Sequence, residues 1–279
     1  MSSVLQFYEQ HMTDNQFKKL SQLVTNKLGI KMPKSKKLML ESRIRKRVKA
    51  LKMNDYKEYV KYLFSDEGKK EIVFFFDSVT TNKTDFFREP DHFDFINEKI
   101  LANLQRRDFN QNPFLVWSAG CSTGEEPYTL SIILNEYGRQ NTNFKFKILA
   151  TDISSQVLEV AEDAIYKCER IFKIPDNLKR RYFLKHKDKT QKVVKANKIL
   201  RNPIYFYRLN LMSDNYNVLN MFDLIMCRNV LIYFEKLQQK KIVANLSKNL
   251  KNSGLFIIGH SETLNGLGNL NFKQIRPTI

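Results

Sequence analysis

The sequence has few of the residues on which disulfide frameworks and zinc sites depend. Its 279 residues include only three cysteines, Cys121, Cys168 and Cys227, which are widely spaced and odd in number. The four histidines form no cluster with them at ligand spacing. This pattern argues against a disulfide-stabilised secreted protein and against a zinc site. We therefore expect reduced thiols and no bound metal.

Long apolar runs are also missing. The longest, such as Ile72–Phe76 and Leu255–Ile258, are far too short to span a bilayer. The first sixteen residues, Met1 to Gln16, are polar and have no apolar core of signal-peptide length. We expect a cytoplasmic protein that does not insert into a membrane, with a monomer as the default state.

Acidic residues are too few to balance the basic ones. Lysine and arginine total 47 against 29 aspartates and glutamates, which gives a net charge of +18. Such an excess predicts attraction to nucleic acid, to an anionic membrane surface or to a carboxylate-rich protein, without choosing among them. The lysines are scattered along the whole chain, so we ascribe about half of the excess to a solvated surface.

Residues 1–79 are predicted to form an all-helical amino-terminal domain. Thr13 or Asp14 is suited to cap the first helix, and Gly29 is suited to end it. The second helix has an apolar stripe of helical period. The four predicted helices cover residues 14–28, 34–52, 56–64 and 69–79.

From Phe114 onward, short apolar strands alternate with helices, which is typical of a parallel α/β sheet. We interpret residues 96–279 as one Rossmann-like domain and residues 80–95, closed by Pro90, as a linker that contributes to the site. A basic segment around 183–203 interrupts the alternation and is predicted to form a small inserted β-subdomain. The predicted strands cover residues 114–118, 144–151, 205–209, 222–227 and 255–259, the last after a turn at 251–254.

The first strand is followed by a glycine loop and a helix start, the parts of a nucleotide site. The loop spacing, Gly120-x-x-x-Gly124, differs from the dinucleotide pattern Gly-x-Gly-x-x-Gly. Glu125 and Glu126, directly after the loop, would repel a pyrophosphate and suit a ligand with a cationic end, such as a sulfonium. Taken alone the loop is a weak indication, because a plain tight turn has the same composition.

Polar residues follow two further strands. Asp152 ends the second strand, where an acidic side chain holds a ribose diol in nucleotide-binding sheets. The alternative is that Asp152 caps the next helix, but Ser154 is available for that role. The stretch 227–234 places Arg, Asn and Tyr at a strand end, and the stretch 80–90 combines hydroxyls, an amide and an arginine. Packing alone would explain either stretch equally well.

In combination, these stretches resemble the chemotaxis protein-glutamate O-methyltransferase family, CheR. The helical amino-terminal domain also matches, so the resemblance covers nearly the whole chain. The matching segments stand in the family's order: TTNKTDFFRE at 80–89, WSAGCSTGEEPYTL at 117–130, ATDIS at 150–154, NL at 210–211, CRNVLIYF at 227–234 and GLFIIGHSE at 254–262.

The resemblance implies a class I, Rossmann-like methyltransferase domain of α/β class, behind a small all-α domain and carrying a small inserted β-subdomain. It implies that S-adenosylmethionine is the cofactor, S-adenosylhomocysteine the product, and receptor glutamates the substrate. Arg88 and Tyr233 would lie closest to the reacting centre, as the catalytic residues. The implied cofactor-binding residues are Asn82, Thr84, Arg88, Glu125 (chosen over Glu126), Asp152, Asn210, Leu211, Arg228 and Asn229.

The implied partner is the cytoplasmic domain of a methyl-accepting chemotaxis receptor, whose methylation region is a glutamate-rich helix. The basic side of the second helix, with Arg43, Lys46 and Arg47, is then expected to bind this substrate. A solvated lysine-rich face is the alternative.

Two departures from the family pattern bear on these expectations. The insert loop Lys185–Gln191 lacks the glycines with which some members dock a receptor tail peptide. Direct recognition of the methylated region is therefore favoured. The chain also stops soon after Phe272, so the final strand of the sheet is expected to be short or trimmed.

Two other functions compete with this one. A nucleic-acid methyltransferase would share the fold and the basic charge. The sequence Asn202-Pro203-Ile204-Tyr205 resembles the Asn-Pro-Pro-Tyr motif of such enzymes, but it lacks the second proline and precedes its strand. A non-catalytic cofactor-binding docking module is the other. We expect no nucleic-acid partner, and the intact Arg88, Asp152 and Tyr233 argue against loss of catalysis.

Overall fold

The computed structural model describes residues 11–101, 104, 108–188, 190–219, 221–268 and 272–279. The chain divides into two compact units. The helical unit comprises Met1–Thr81 and Tyr233–Gln238, and the sheet unit comprises Asn82–Ile232 and Gln239–Ile279. Most of the polar start, which carries the expectation of no signal peptide, lies outside the described residues.

The helical unit begins with a helix whose ends are set by local sequence, as predicted. The Thr13 side chain accepts a hydrogen bond from the Gln16 amide while Gln16 reaches back to the Thr13 amide, a capping box. Gly29 ends the helix in the left-handed conformation, with φ of 71°. The helices before Thr81 are α1 Asp14–Leu28, α2 Lys37–Ala50, α3 Tyr56–Leu63 and α4 Glu71–Val79, with 3-10 turns at Lys34–Lys36 and Glu67–Lys70.

Helix α2 starts three residues later than predicted because the chain first forms a 3-10 turn after Pro33. Of its predicted apolar stripe, Leu40, Ile44 and Val48 are fully buried in the core of the helical unit, and Leu51, directly after the helix, is half-buried. Each such side chain contributes roughly 1.5–3 kcal/mol relative to an exposed one. The helical period in the sequence therefore identifies the packed face correctly.

The sheet unit alternates helices and strands as expected for an α/β fold. Its short turns are a π-helical turn at Ile96–Ile100 and 3-10 turns at Cys168–Ile171 and Leu231–Tyr233, the last of which ends in the helical unit. The helices and strands are α5 Pro90–Phe95, β1 Phe114–Ala119, α6 Glu125–Gln140, β2 Phe146–Asp152, α7 Ser155–Asp163, β3 Ile165–Lys167, α8 Asp176–Tyr182, β4 Phe183–Lys185, β5 Val193–Ala196, α9 Lys198–Arg201, β6 Ile204–Arg208, β7 Phe222–Cys227, α10 Lys236–Ser247 and β8 Leu250–Ile258. The first three residues of α10 belong to the helical unit.

The main sheet has the strand order β6-β2-β1-β7-β8, and all of its pairs are parallel. Strands β1 and β7 are buried along almost their whole length, as parallel strands covered on both faces are. The chain runs outward from β1 to β2 and β6, and then returns to place β7 on the other side of β1. This reversal makes the carboxyl end of β1 and β7 the switch point at which open α/β sheets bind ligands.

The prediction of a turn at residues 251–254 was wrong, because β8 runs through them. Phe222 pairs with Leu250 and Leu224 pairs with Leu255, so the extra residues form a bulge in β8. Ser253 takes a left-handed φ of 63° in that bulge. The turn-forming residues therefore bend the strand without ending it. In the described residues 272–279 no further strand is assigned, and the Thr278 carbonyl accepts a hydrogen bond from the Ile258 amide.

A second sheet of three antiparallel strands, in the order β3-β5-β4, forms the inserted β-subdomain. Strands β4 and β5 make the hairpin that the basic segment predicts. Strand β3 was not predicted from the sequence, because three residues are too few to show alternation. Its central residue, Tyr166, is buried beside Val194.

The helices found within the described ranges are all too short or too polar to cross a bilayer.

Candidate functional site

The glycine loop after β1 has a backbone that only glycine adopts easily. Gly120 and Gly124 have φ of 82° and 94°. A Cβ at Gly120 would lie 2.5 Å from the Val230 side chain. The amides of Gly120 and Cys121 both donate to the Thr151 carbonyl, at 2.7 and 2.9 Å. The loop is therefore fastened to the end of β2, and its glycines are required by close packing.

Asp152 lies at the carboxyl end of β2 and is 9% exposed. One carboxylate oxygen accepts from the Ser122 amide at 2.8 Å, and the other accepts from the Ser154 amide at 3.0 Å. The Ser154 hydroxyl caps α7 by accepting from the Val157 amide. Ser154 thus performs the capping role that the alternative interpretation gave to Asp152, and Asp152 is joined to the glycine loop.

Residues of the predicted linker meet this loop and the start of α6. The Asn82 carbonyl accepts from the Ser122 hydroxyl at 3.0 Å. The Thr84 carbonyl accepts from the Arg170 guanidinium at 2.6 Å, and Arg170 also donates to the Glu125 carboxylate. Arg170 was not predicted from the sequence, since it lies outside every recognised motif. It ties the linker to the helix that follows the glycine loop.

The two glutamates after the loop are both paired with arginines inside the protein. Glu125 is 1% exposed and forms an ion pair of 2.5 Å with Arg170. Glu126 accepts from the Ser118 hydroxyl at 2.7 Å and from Arg228 at 3.1 Å. Burial raises the pKa of the Glu126 carboxyl, and Arg228 acts against that shift. The preference of this pair for a ligand with a cationic end stays a prediction.

Arg228 lies buried between two carboxylates, Glu126 and Glu89, each at 3.1 Å. Its guanidinium also donates to the Arg88 carbonyl. The Asn229 side chain donates to the second oxygen of Glu89 at 3.0 Å. A charge that is 98% shielded from solvent needs such partners to be stable. Glu89 therefore joins the stretch 227–234 to the stretch 80–89.

The segment before α5 has an unusual backbone. Phe87 and Glu89 have φ of 51° and 57°, which costs roughly 1–2 kcal/mol for each residue with a side chain. The Phe87 amide donates to the Thr129 hydroxyl at 3.1 Å, and Arg228 holds both the Arg88 carbonyl and the Glu89 carboxylate. The surrounding contacts therefore maintain a conformation that the local sequence does not favour.

Asn210 and Leu211 follow β6, beside the end of β2. The Leu209 amide donates to the Asp152 carbonyl at 2.8 Å, which holds the two strand ends together. The Asn210 side chain accepts from the Met212 amide at 2.9 Å. All nine predicted cofactor-binding residues belong to the sheet unit. Arg228 bonds directly to the Arg88 carbonyl, Asn82 and Asp152 share Ser122 as a partner, and Thr84 and Glu125 share Arg170.

Tyr233, by contrast, is counted with the helical unit. Its carbonyl accepts from the Lys31 amide at 2.8 Å, and the Lys36 ammonium lies 5.8 Å from the centre of its ring. The proximity of Tyr233 to a reacting centre stays a prediction from the motif.

The three basic residues predicted to bind substrate have different surroundings within the helical unit. Arg43 donates to the carbonyls of Val79 and Thr80 at 2.6 and 2.8 Å, where α4 ends. Arg47 makes a two-pronged ion pair with Glu71 at 2.8 and 2.6 Å. Lys46 is exposed. Of the three, Lys46 is the side chain most available to a partner.

A histidine–carboxylate cluster stands beside Arg228. Ligand atoms of Glu89, His92 and His260 all lie within 4.8 Å of one another. His92 is 1% exposed, and burial, together with the charge of Arg228, lowers its pKa to about 4. The two Glu89 oxygens already accept from Arg228, from Asn229 and from the His260 amide. The guanidinium thus supplies the positive charge that a metal ion would bring.

A carboxylate that sequence reasoning missed is Glu262, which is 8% exposed and accepts from backbone amides of residues 229–232. Its position in the quoted segment GLFIIGHSE, just after a buried strand, was the available signal.

Comparisons with known proteins agree with these motifs. The family model described as "CheR methyltransferase, all-alpha domain" matches residues 15–80. The model described as "CheR methyltransferase, SAM binding domain" matches residues 82–278. The two matches together cover most of the chain.

Relatives of similar length support the match. A chemotaxis protein methyltransferase of Borreliella burgdorferi is 40% identical over 96% of this chain and 94% of its own length. One of Salmonella typhimurium is 35% identical over 92% of this chain and 86% of its own. A solved structure of PKMT2 from Rickettsia typhi in complex with AdoHcy has a TM-score of 0.32 at 19% identity, over 52% of this chain and 20% of that one. A structural likeness at that level says nothing about function.

Proposed function

Because this chain belongs to the CheR family of S-adenosylmethionine-dependent chemotaxis methyltransferases, we propose that it methylates glutamate side chains of methyl-accepting chemotaxis receptors. The products would be glutamyl methyl esters and S-adenosylhomocysteine. The partner would be the cytoplasmic domain of the receptor, so the protein would act in the cytoplasm. Relatives named chemotaxis protein methyltransferase, at 35–40% identity over most of both chains, support this proposal.

The observation that carries the proposal is the meeting of four motifs at the carboxyl edge of the parallel sheet. The glycine loop is bonded to Asp152 through Ser122, and Ser122 is bonded in turn to the Asn82 carbonyl. On the neighbouring strand end, Arg228 and Asn229 are bonded to Glu89. All of these residues lie in the segment that matches the SAM-binding domain.

The residues at this edge suit the cofactor. S-adenosylmethionine supplies a methyl group on a positively charged sulfur, which leaves as a neutral thioether when a carboxylate oxygen accepts the methyl. Asp152 offers an ionised carboxylate of the kind that holds ribose hydroxyls, beside a glycine loop that brings backbone close. We propose that the cofactor is held by Asn82, Thr84, Arg88, Glu125, Asp152, Asn210, Leu211, Arg228 and Asn229.

Catalysis by this chain would consist mainly of placing the reactants. A substrate glutamate, with an ordinary pKa of about 4.3, is already ionised at neutral pH. No side chain is needed to remove a proton, and alignment of the reactants supplies the rate. Arg228 would act by holding the Arg88 carbonyl and Glu89, because both of its terminal nitrogens are bonded to protein groups.

We propose that Arg88 orients the incoming carboxylate or the methionine part of the cofactor. Within the described part of the chain its guanidinium donates one hydrogen bond, to the Lys83 carbonyl at 2.9 Å. A guanidinium has five N–H groups, so donors remain for a carboxylate in a two-pronged arrangement. Arg88 differs in this respect from Arg228, whose two terminal nitrogens are both bonded to protein groups.

Tyr233 is proposed as the second residue of the reacting centre, on the strength of the family motif. Replacing Tyr233 with Phe removes a hydroxyl and leaves the ring. Turnover should fall by about tenfold or more, the cost of one well-placed hydrogen bond to a charged group. The affinity for S-adenosylhomocysteine should hardly change. Steady-state kinetics and calorimetry measure the two quantities. Tyr207→Phe, at a position 59% exposed on β6, is the matched control, and equal turnover in the two variants would contradict the role.

The substrate specificity is tested by offering the purified protein radiolabelled S-adenosylmethionine together with a receptor cytoplasmic fragment or with RNA. We expect label on the receptor fragment that mild base releases as methanol, because methyl esters hydrolyse under those conditions. A receptor fragment whose methylation-region glutamates are changed to glutamine should take up none. Label on RNA, or no label on either, would refute the proposal.

A further inference from the structure

Glu262 is the acceptor for an unusual number of backbone amides. Its side chain lies in the sheet unit, beyond the end of β8, and the residue is 8% exposed. The donors, all backbone N–H groups, are Val230 at 2.8 Å, Leu231 at 2.7 Å and Ile232 at 3.3 Å to one oxygen, and Asn229 at 2.9 Å and Gly259 at 2.6 Å to the other.

Four of these five donors are consecutive residues of one segment. Consecutive amides that point to one side form a concavity that attracts an anion, and here the anion is a side chain of the protein itself. Asn229 opens the segment with a left-handed φ of 58°. Burial raises the pKa of the Glu262 carboxyl, and the amides act against that shift because they favour the ionised form.

The segment that Glu262 holds carries residues of the proposed site. Asn229, at its start, donates to Glu89, and Arg228 directly precedes it. Tyr233 follows its last residue, Ile232, in the chain. Among the described residues, Glu262 is the one side chain that accepts from more than one of the amides of residues 229–232. This one carboxylate therefore holds all four amides of the segment, while the Leu231 carbonyl accepts from the Gln239 side chain at 2.9 Å.

We propose that Glu262 is a positioning residue for methyl transfer, holding residues 229–232 in the conformation that presents Asn229 to Glu89 and leads the chain into Tyr233. The inference rests on the proposed function for the roles of Asn229 and Tyr233. Glu262 touches neither cofactor nor substrate in this account, and it acts through the backbone of the segment.

Gly259 gives the same segment a second support. A Cβ at Gly259 would lie 2.5 Å from the Asn229 side-chain nitrogen and 2.8 Å from its backbone nitrogen. Both distances are too short for any side chain to fit without moving Asn229. Gly259→Ala therefore perturbs the segment while the Glu262 carboxylate is kept.

The decisive variant is Glu262→Gln, which keeps the shape and removes the charge. A glutamine side chain has one acceptor oxygen. Its amide nitrogen is a donor and cannot accept hydrogen bonds from the backbone N–H groups that it would face, so at least two of the five donors lose their partner. Hydrogen exchange of the amides of residues 229–232 should become at least tenfold faster. S-adenosylhomocysteine affinity by calorimetry should fall about tenfold, and kcat should fall more than the KM for receptor rises.

Glu136→Gln is the matched control. Glu136 lies in the same unit and accepts from Arg181 and Tyr182, so its loss also removes a bonded carboxylate. It should lower stability and leave exchange at residues 229–232 and cofactor affinity unchanged. Glu262→Asp, which keeps the charge on a shorter side chain, should recover part of the lost affinity.

Unchanged exchange at residues 229–232 in Glu262→Gln would overturn the proposal. So would faster exchange with affinity and kcat both at wild-type values. If Glu262→Gln does not fold, Gly259→Ala is measured by the same three methods, with the same expected and contrary results. Failure of the proposed function would show separately, as absence of receptor label with the wild-type protein while its exchange and affinity measurements still stand.

Discussion

Two buried carboxylates, Glu71 in the helical unit and Glu262 in the sheet unit, are held in opposite ways. Glu71 is 3% exposed and accepts from side chains, the Arg47 guanidinium and the Tyr59 hydroxyl. Glu262 accepts from backbone amides alone among the described residues. A carboxylate bonded to side chains joins the helices that carry them, here α2, α3 and α4. One bonded to consecutive amides fixes the path of a loop.

The single tryptophan allows the two units to be followed separately. Trp117 lies in β1 of the sheet unit and is completely buried. Its fluorescence therefore reports unfolding of the sheet unit. The far-ultraviolet circular dichroism contains the helices of both units, so a loss of ellipticity without a change in fluorescence reports unfolding of α1 to α4. Variants of each unit, followed by both fluorescence and circular dichroism, test whether the two carboxylates stabilise separate units.

The largest effect is expected from Glu71→Gln, which removes the charge of the carboxylate that forms the two-pronged ion pair with the Arg47 guanidinium. Breaking a fully buried pair costs about 3–5 kcal/mol. The Arg47 side chain is 20% exposed, so we expect a loss of about 2 kcal/mol in the free energy of unfolding. Urea unfolding should show it in the circular dichroism, with the affinity for S-adenosylhomocysteine unchanged. An equal shift in the Trp117 fluorescence transition would mean that the two carboxylates do not serve separate units.

The next largest effect is expected from Asp152→Asn in the sheet unit. The variant keeps the size of the side chain but offers one acceptor oxygen to the Ser122 and Ser154 amides and to the cofactor. Loss of one hydrogen bond to a charged group costs about 1.5–3 kcal/mol, so affinity for S-adenosylhomocysteine should fall at least about tenfold. Calorimetry measures it. Asp214→Asn, on a side chain 96% exposed, is the control, and equal affinities in the two variants would remove Asp152 from the site.

A smaller effect is expected from charge reversal on the helical unit. Lys46→Glu should slow receptor methylation about two- to fivefold at low salt, because like charge would oppose the encounter with a glutamate-rich helix. The difference should vanish near 0.5 M salt, where screening is strong. Lys57→Glu, an exposed lysine of α3, changes the net charge equally. If the methylation rate falls equally in both variants, the total charge of the protein attracts the receptor, and the basic face of α2 has no special role.

The effect that is smallest at neutral pH is the response of His92 to acid. The pKa of His92 is lowered to about 4 in the folded protein, against an ordinary value of about 6.5. Between these values the unfolded chain binds a proton that the folded protein does not. The free energy of unfolding contributed by neutral His92 is therefore fully present above pH 6.5 and is lost as the pH falls toward 4. His92→Asn cannot take up this proton, so its thermal stability should fall less steeply over that range. Identical pH profiles would contradict the assignment.

Local sequence determined much of the fold in advance. The Thr13 capping box and the Gly29 helix end depend on neighbours within a few residues, and the strands around Trp117 and Met226 are visible as short apolar runs, so sequence patterns detect all of them. Close packing explains the glycines of the loop. Asp152 was placed correctly at a strand end because strand length and burial define where a parallel strand stops.

The parts that the sequence did not predict depend on distant partners. Arg43 and Arg47 look alike on a helical wheel, but their roles are set by Thr80 and Glu71, which are more than twenty residues away. Strand β3 exists because β5 pairs with it, and the β8 bulge because β7 fixes the register. Glu262 has a visible motif, but its role depends on amides some thirty residues earlier in the chain.

The return of Tyr233–Gln238 to the helical unit has a consequence for dissecting the protein. Phe234 is 5% exposed and forms a bridge with Ile30, and Lys31 bonds to the Tyr233 carbonyl. A fragment beginning at Asn82 would keep residues Tyr233–Gln238 but lose the helical residues that they contact, Ile30 and Lys31 among them. The Phe234 side chain would then be exposed to solvent. The isolated amino-terminal fragment would lack the same piece. Cutting the chain between Thr81 and Asn82 thus yields two fragments, neither of which contains the whole helical unit. Mixing the two fragments should restore the contacts of Tyr233–Gln238 with that unit.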